Sequence, residues 1–315
     1  MDKIRIGVST CLMGETVRYD GGHAHDRYVT DTLGRYVEFV PVCPETEAGL
    51  GIPREPMRLV GDPASPRLLT IKTKKDMTDI LTTWAKKRVR QLEKGNLCGF
   101  IFKSKSPSSG MERVKVYTEG GMPVKKGVGL FAKEFMAHFP LLPVEEDGRL
   151  HDPGIRENFI ERVFTLKRWR STLDQRKTIG RLVAFHTAHK LQVLSHSTTH
   201  YREMGRLVAQ TKGMKIAEVY AQYEALLMEA LKLRATVKKN TNVLQHMMGY
   251  FKKQLTPDEK QEILEVIRDF HAELVPLIVP LTLFKHYVRK YDQPYLRGQI
   301  YLSPHPLELK LRNHG

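Results

Sequence analysis

Cysteine is scarce in this sequence: Cys11, Cys43 and Cys98 are the only three among 315 residues. Three thiols cannot form a framework of paired disulfides, which excludes the small disulfide-stabilised secreted domains. Their gaps of 32 and 55 residues match no local zinc-binding pattern either. The cysteines can therefore share a metal or catalytic site only if the fold brings them together.

Long apolar segments are missing as well. No run approaches the roughly 18 to 20 residues that a membrane-spanning helix needs. Met1-Asp2-Lys3 leads straight into a strand-like stretch without the apolar core of a signal peptide. We therefore expect a cytoplasmic protein with no membrane partner, and the sequence indicates no particular protein partner. Internal repeats and low-complexity tracts are also absent, and the chain length predicts two ordinary domains.

Acidic residues are outnumbered, with 35 Asp and Glu against 51 Lys and Arg and a net charge of +16. The excess is uneven: residues 1–150 hold 24 basic and 19 acidic side chains, whereas residues 151–315 hold 27 and 16. A basic surplus concentrated in one half favours a polyanionic partner, and nucleic acid is the commonest one. A basic face that is merely solvated is the alternative.

Residues 1–148 alternate strand-like and helix-like segments. Apolar spacing in 79–94 predicts an amphipathic helix, a short helix is expected around 30–35, and 53–59 is expected to be an extended basic segment. Segments rich in β-branched and aromatic residues predict strands at 4–9, 37–42, 99–103 and 114–117. This alternation predicts an α/β domain built on a parallel-rich sheet.

Three loops follow strands in this half. Cys11 follows the first strand, Cys43 follows the second, and a Ser-Pro-Ser-Ser-Gly loop at 106–110 follows the strand at 99–103. Parallel strands end at one edge of a sheet, where ligands bind in open α/β folds, so we expect these loops to meet. Cys98 precedes its strand and is expected at the opposite edge, on the order of 20 Å away at about 3.3 Å per residue. There it would be a small buried apolar side chain.

Three motifs in this half resemble the thiouracil desulfidase (TudS) family. They are STCLMG at 9–14 with VRYDGG at 17–22, VCPE at 42–45 with GLGIPREP at 49–56, and KSPSSG at 105–110. The resemblance covers roughly residues 3–145. It implies non-redox removal of sulfur from a thiolated pyrimidine, with a [4Fe-4S] cluster on three ligands and one iron left open.

The resemblance also assigns roles to individual residues. It implies that Cys11, Cys43 and the residue at position 109 hold the cluster. It further implies that Glu45 is the general base or proton shuttle and that Ser106 is a proton relay or substrate contact. The residue types suit this chemistry, because thiolates are soft ligands for iron–sulfur clusters and an open iron acts as a Lewis acid.

Position 109 departs from the family pattern. The family motif is Ser-Pro-Ser-Cys-Gly, whereas this chain has Ser109 where the third cysteine ligand stands. An alkoxide is a harder and more basic ligand than a thiolate, so we expect weaker cluster binding. Three alternatives remain open: a cluster with Ser109 as its third ligand, a labile or lost cluster, or an introduced Cys→Ser change.

Residues 149–315 predict an all-α helical bundle. Apolar residues recur there at helical spacing, and proline and acidic residues mark helix starts. The predicted helices begin near 155 and continue at 178–188, 214–237, 241–254, 257–274 and 281–291.

Histidines crowd this second half. The spacings of His186 with His189 and of His196 with His200 suit a metal pair on a helix. No Glu stands in the HExxH arrangement of metalloproteases, however. We therefore expect these side chains to be solvated or to face nucleic acid rather than to bind a metal.

The segment 185–201, with FHTAHKL, LSHS and a following tyrosine, resembles a helical domain found fused behind TudS-like domains. The fused proteins resemble tRNA 4-thiouridine desulfidases (RudS), which implies that the basic bundle holds tRNA. Interleaved basic and aromatic residues suit phosphate contacts and base stacking. The side chains expected to contact substrate or tRNA are Arg18, Arg54, Lys103, Lys167, Arg168, Arg170, Lys190 and Tyr201.

These observations predict a two-domain enzyme that converts 4-thiouridine in tRNA to uridine. Residues 1–148 form the desulfidase domain and residues 149–315 the tRNA-binding module. One alternative is a catalytically impaired tRNA-binding protein, because Ser109 replaces the third cysteine. The other is a desulfidase of free thiopyrimidines, which would leave the basic half without a task.

Overall fold

The computed structural model describes residues 3–118 and 122–313. It divides into two compact units, Met1–His151 (the α/β unit) and Asp152–Gly315 (the helical unit). The predicted order of an α/β part followed by helices is confirmed. The division placed at 148/149 from the sequence lies three residues before the structural one.

The first sheet of the α/β unit is entirely parallel. With strands numbered in chain order, it contains β1 (Ile4–Ser9), β2 (Val37–Val42), β5 (Gly99–Phe102) and β8 (Val144–Glu146), arranged β2-β1-β5-β8. Ser9 lies opposite Val42, and Val8 lies opposite Ile101. The carboxyl ends of β1, β2 and β5 therefore meet at one edge.

The second sheet is mixed, and the sequence pattern does not predict it. Its strands are β3 (Met57–Val60), β4 (Arg67–Thr70), β6 (Val114–Tyr117) and β7 (Pro123–Gly127), arranged β4-β3-β6-β7. Only β3 and β6 run parallel; the other pairs are antiparallel. The segment at 53–59 thus ends in a strand, and the strand at 114–117 belongs to this sheet rather than to the parallel one.

The described part of the α/β unit also contains three α-helices: α1 (Pro44–Glu47), α2 (Thr78–Glu93) and α3 (Leu130–His138). Helix α2 buries Leu81, Ala85, Val89 and Leu92, as the amphipathic pattern predicts, whereas Ile80 is 43% exposed. The short helix expected around 30–35 is one π-helical turn, Tyr28–Thr32, followed by a 3-10 turn, Leu33–Arg35.

The helical unit contains eight helices among the described residues. They are α4 (Pro153–Leu173), α5 (Ile179–His196), α6 (Thr198–Ala209), α7 (Ile216–Lys232), α8 (Val237–Met248), α9 (Pro257–His271), α10 (Ile278–Lys290) and α11 (Pro294–Arg297). The helix predicted at 178–188 stops eight residues before α5 ends, and the sequence pattern does not predict α6.

Hydroxyl and carboxylate side chains begin five of these helices. The side chains of Asp152, Thr178, Ser197, Thr236 and Thr256 each accept a hydrogen bond from a backbone N–H of the first turn, which satisfies a donor that the helix itself leaves unpaired. Within the described part of the chain, no helix combines the length and apolar character that crossing a membrane requires.

Candidate functional site

A cavity of about 490 Å³ opens at the carboxyl edge of the parallel sheet. Its walls come from the 3-10 turn Thr10–Met13 after β1, from the start of α1 after β2, and from the loop at 106–110. It is lined by every site residue that the sequence predicts in this half, namely Cys11, Arg18, Cys43, Glu45, Arg54, Lys103, Ser106 and Ser109. The three strand-end loops therefore meet, as the strand order requires.

Helix α1 fixes the position of Cys43. The backbone is extended at Cys43, and Pro44 supplies the pre-set φ that favours a first helical residue. The Cys43 N–H donates to Glu47 Oε1 at 3.0 Å, and Glu47 Oε2 lies 2.9 Å from Arg88 Nε on α2. A four-residue helix is thus held between a strand and a longer helix.

The loop at 106–110 is held by its own hydrogen bonds and by α3. Ser106 Oγ accepts from the N–H groups of Ser108 (3.3 Å) and Ser109 (3.1 Å), and Ser106 O accepts from Gly110 N at 2.8 Å. The Ser108 carbonyl accepts from two backbone N–H groups of α3, at 2.9 and 3.2 Å. Gly129 packs against this peptide, because a Cβ there would lie 2.5 Å from Ser108 C.

Glu45 lies beside Cys43 and is contacted from three sides. Ser108 Oγ donates to Oε1 at 2.5 Å, and the Cys43 thiol donates to Oε2 at 3.7 Å. The Arg54 guanidinium lies 3.8 Å from Oε2. A carboxylate held in this way inside a cavity has the chemistry of a general base.

A second ion pair lies at the exit of β5. Lys103 Nζ is 2.6 Å from Asp147 Oδ2 and 3.2 Å from Ser104 Oγ. Burial raises the pKa of Asp147, but hydrogen bonds from Lys103 and Ser104 outweigh burial and leave that pKa below its usual value. The ion pair holds the Lys103 side chain in place, and its charge favours a lower pKa for the Cys11 thiol.

Both cavity thiols hold their protons at neutral pH. Burial raises the pKa of Cys11 to about 11, an effect that Lys103 opposes and Glu45, Cys43 and Asp147 reinforce. Burial also raises the pKa of Cys43, again reinforced by Glu45. A metal that binds these thiols must displace their protons, because the thiolate is the ligand.

The donor set fits an iron–sulfur group at two of its three positions. Cys11 and Cys43 supply soft sulfur ligands, and Ser109, which is 3% exposed, supplies a hydroxyl on the same cavity. The described residues that line the cavity do not include Cys98. It is buried at the opposite end of β5, where its N–H donates to Arg5 O at 2.7 Å.

Sequence reasoning missed three contributors to this site: Glu47, Ser108 and Asp147. Glu47 stands four residues after Cys43, the spacing of a first-turn contact, and Ser108 is inside the motif already singled out. For Asp147 no signal was available, because it reaches the site only through the pairing of β5 with β8.

The side chains of the helical unit that were predicted to contact tRNA differ in their surroundings. Lys167, Arg170 and Lys190 are half-buried, and Lys190 Nζ lies 5.0 Å from the centre of the Tyr295 ring. The ring of Tyr201 packs against the apolar core of this unit, although the residue remains partly exposed.

The expectation that Arg168 contacts tRNA is wrong. Its Nη1 donates to Pro304 O at 2.8 Å, its Nη2 to Thr165 Oγ1 at 3.2 Å and its Nε to His189 Nε2 at 3.2 Å. All three guanidinium nitrogens are thus committed inside the unit, and Arg168 is a structural residue.

His189 and His196 are likewise internal, which corrects the expectation of solvated or nucleic-acid-facing rings. His189 stacks on Phe185 with ring centres 3.8 Å apart, and its Nδ1 donates to Phe185 O at 2.8 Å. His196 Nε2 lies 3.0 Å from Glu161 Oε2, and its Nδ1 donates to Leu233 O. His186 contacts Tyr223, and His200 contacts Ser197 at the start of α6.

The helical unit has a cavity of its own, of about 290 Å³, beside a buried ion network. Glu157, Glu161 and His305 offer ligand atoms within 4.8 Å of one another, as a metal site would. Arg312 already occupies this cluster, with Nη2 2.6 Å from Glu161 and Nε 3.1 Å from Glu157. The guanidinium supplies the positive charge that a metal ion would bring, so the network is structural.

Two family models match the chain. The one described as 2-thiouracil desulfurase matches residues 6–147, and the one described as a protein of unknown function, DUF1722, matches residues 190–306.

Two curated proteins and one solved structure are similar to parts of this chain. The uncharacterized protein YbgA of Escherichia coli (strain K12) is 32% identical over 155 residues, which are 49% of this chain and 92% of that protein. The uncharacterized protein YbbK of Bacillus subtilis (strain 168) is 30% identical over 108 residues, which are 33% of this chain and 71% of that protein. The solved structure of the [4Fe-4S]-dependent thiouracil desulfidase TudS is 26% identical with a TM-score of 0.39, covering 48% of this chain and 95% of that one.

Proposed function

The chain belongs to the 2-thiouracil desulfurase family through residues 6–147, with a DUF1722 region behind them, and on this basis we propose that it removes sulfur from 4-thiouridine in tRNA. In this proposal the α/β unit carries out the chemistry and the helical unit holds the RNA. The product is uridine, and the sulfur leaves as sulfide.

One observation carries the chemical half of the proposal: two thiols and a held carboxylate share a single cavity. Cys11, Cys43 and Glu45 come from the ends of two adjacent parallel strands, and all three line the same 490 Å³ space. Paired soft ligands beside a held carboxylate suit a site that accepts sulfur on a thiophilic metal group and supplies a base for the attacking water.

A [4Fe-4S] cluster held by Cys11, Cys43 and Ser109 would supply a Lewis-acidic iron that polarises the thiocarbonyl. Glu45 accepts a proton from the water that attacks the thiocarbonyl carbon, because its carboxylate is fixed and faces the cavity. Ser106 stands on the same wall and contacts the pyrimidine or returns a proton. Arg18, Arg54 and Lys103 surround the nucleotide with positive charge.

The charge of the second half supports the choice of tRNA. Residues 151–315 hold 27 Lys and Arg against 16 Asp and Glu. Phosphate contacts from such a surface give affinity that is steeply salt-dependent and largely independent of sequence. Lys167, Arg170, Lys190 and Tyr201 remain the proposed contacts, and Arg168 is removed from the set.

Ser109 supports a second candidate function, a tRNA-binding protein with impaired turnover. A hydroxyl at the third ligand position binds iron less well than a thiolate does. The cluster would therefore be labile, while the helical unit would still bind RNA.

The test is to reconstitute the full chain with iron and sulfide under anaerobic conditions and add tRNA that contains 4-thiouridine. We expect sulfide release with matching loss of 4-thiouridine, abolished by Glu45→Ala. Equal turnover of free thiopyrimidines would favour a free-base desulfidase. Salt-dependent tRNA binding without turnover would support the impaired protein, and absence of both activities overturns the proposal.

A further inference from the structure

The buried hydroxyl of Ser108 joins the two residues assigned to catalysis. Ser108 is fully buried, and its Oγ lies 2.5 Å from Glu45 Oε1 and 2.9 Å from Ser106 Oγ. Neither the sequence pattern nor the family resemblance assigns a role to this serine. It nevertheless makes the shortest contact to Glu45 among the described residues.

The direction of the two hydrogen bonds that link Ser106, Ser108 and Glu45 follows from the number of protons each group can donate. Ser108 has one hydroxyl proton, and a carboxylate only accepts, so that proton is donated to Glu45. The Ser106 hydroxyl must then donate to Ser108. The oxygen of Ser106 also accepts from the N–H groups of Ser108 and Ser109, which holds the hydroxyl in place. Both hydrogen bonds therefore point the same way: Ser106 donates to Ser108, and Ser108 donates to Glu45.

The backbone of Ser108 is as constrained as its side chain. Its carbonyl accepts from Phe131 N at 2.9 Å and from Ala132 N at 3.2 Å, which ties it to the first turn of α3. Gly129 closes the other side of the same peptide. The backbone that carries this hydroxyl is thus anchored to the start of α3.

The other two partners of Glu45 are poorer anchors. A thiol is a weak donor, and the Cys43 contact is 3.7 Å long. Arg54 stands 3.8 Å away, beyond hydrogen-bond distance, and its Nη1 is committed to Val17 O at 3.0 Å. Among the residues that the structure describes, only Ser108 fixes the carboxylate by a short hydrogen bond from a rigid group.

We propose that Ser108 is the positioning residue of this site: it holds the Glu45 carboxylate in place for proton transfer and couples it to Ser106. This inference rests on the proposed function. It adds a residue that acts through Glu45 and touches neither the substrate nor a cofactor.

The kinetic test compares Ser108→Ala with a matched pair, Ser108→Thr and Ser108→Val, in the full reconstituted chain. Loss of orientation lowers kcat about 10- to 100-fold in Ser108→Ala while KM stays within about twofold, since the substrate contacts remain. Thr and Val add the same volume, but only Thr keeps the hydroxyl, so Thr exceeds Val in kcat. Ser195→Ala is the control, because it removes a buried hydroxyl that donates to Gln192 O at 2.7 Å in the helical unit.

A double-mutant cycle with Glu45→Ala tests the same link without requiring turnover. If the hydrogen bond is real, the two substitutions together destabilise the protein against urea less than their separate effects added, because either substitution alone already removes this bond. Additive effects on unfolding, or a Val variant as active as Thr, would overturn the inference. If the parent chain has no turnover but the coupling is present, the proposed function fails and the hydrogen bond stands.

Discussion

The backbone N–H of Cys43 donates to the carboxylate of Glu47, four residues later, at 3.0 Å. The same carboxylate is bound to Arg88 of α2 at 2.9 Å. The thiol-bearing residue is therefore tied to the longest helix of its unit through one acidic side chain, although Glu47 itself does not line the cavity.

Glu47→Ala should destabilise the α/β unit by about 1 to 3 kcal/mol, because it leaves the buried Cys43 N–H without a partner. Urea unfolding measures this change. Glu38→Ala is the control, since Glu38 pairs with Arg5 at a solvent-exposed position where an ion pair contributes about 0 to 1 kcal/mol. Equal losses in the two variants would show that the Glu47 contact has no special role.

Ser109→Cys should raise the iron content and visible absorption of anaerobically reconstituted protein, because a third thiolate replaces a harder oxygen ligand. Iron and sulfide analysis per chain gives the readout. Ser303→Cys, at an exposed position in the helical unit, controls for iron bound by any added thiol. If both variants bind iron like the parent, position 109 is not a ligand position.

Lys167→Gln combined with Arg170→Gln should weaken tRNA binding and reduce the log–log salt slope by about two, because each substitution removes one cation that neutralises a phosphate. Fluorescence anisotropy at several salt concentrations measures both quantities. Lys260→Gln, on the acidic helix α9, should leave affinity and slope unchanged. An unchanged slope in the double variant would remove these two residues from the proposed RNA surface.

The helical unit should lose stability as the pH falls below about 6.5. Burial lowers the pKa of His189 to about 3, reinforced by Arg168, and burial lowers the pKa of His186 to about 4. The unfolded chain therefore takes up protons below the ordinary histidine pKa while the folded chain does not. For His189 this costs roughly 2 kcal/mol between pH 7 and pH 5.

Urea unfolding at both pH values tests this effect. His189→Gln should flatten the pH dependence, whereas His246→Gln, at an exposed position, should leave it in place. The opposite result would show that acid sensitivity arises elsewhere.

The sequence was sufficient to predict the parallel sheet and to predict that the loops after its strands lie close together. The β-branched runs before Cys11 and Cys43 are strong patterns, and parallel strands end at one edge. The sequence pattern predicted β6 as a strand but not the second sheet to which it belongs. The neighbouring strands β3 and β4 have four residues each, which is too few for alternation to stand out.

The histidines were misplaced because their partners are distant in sequence. His196 meets Glu161, which is 35 residues away, and His189 meets Arg168 across two helices. Local spacing cannot show whether a polar side chain on a helix is solvated or paired inside. A hydrogen-bond partner that only the packing of helices supplies decides between the two.

The fold of the loop at 106–110 does not depend on the side chain of residue 109. Its shape is fixed by Ser106, by backbone groups and by the first turn of α3. The side-chain donor atom of residue 109 therefore occupies the same place in the cavity wall whether it is oxygen or sulfur. Exchanging oxygen for sulfur there is a change of one atom that leaves the scaffold untouched. Under the proposed function, affinity for iron at this site would therefore be gained or lost in one evolutionary step, with the architecture inherited intact.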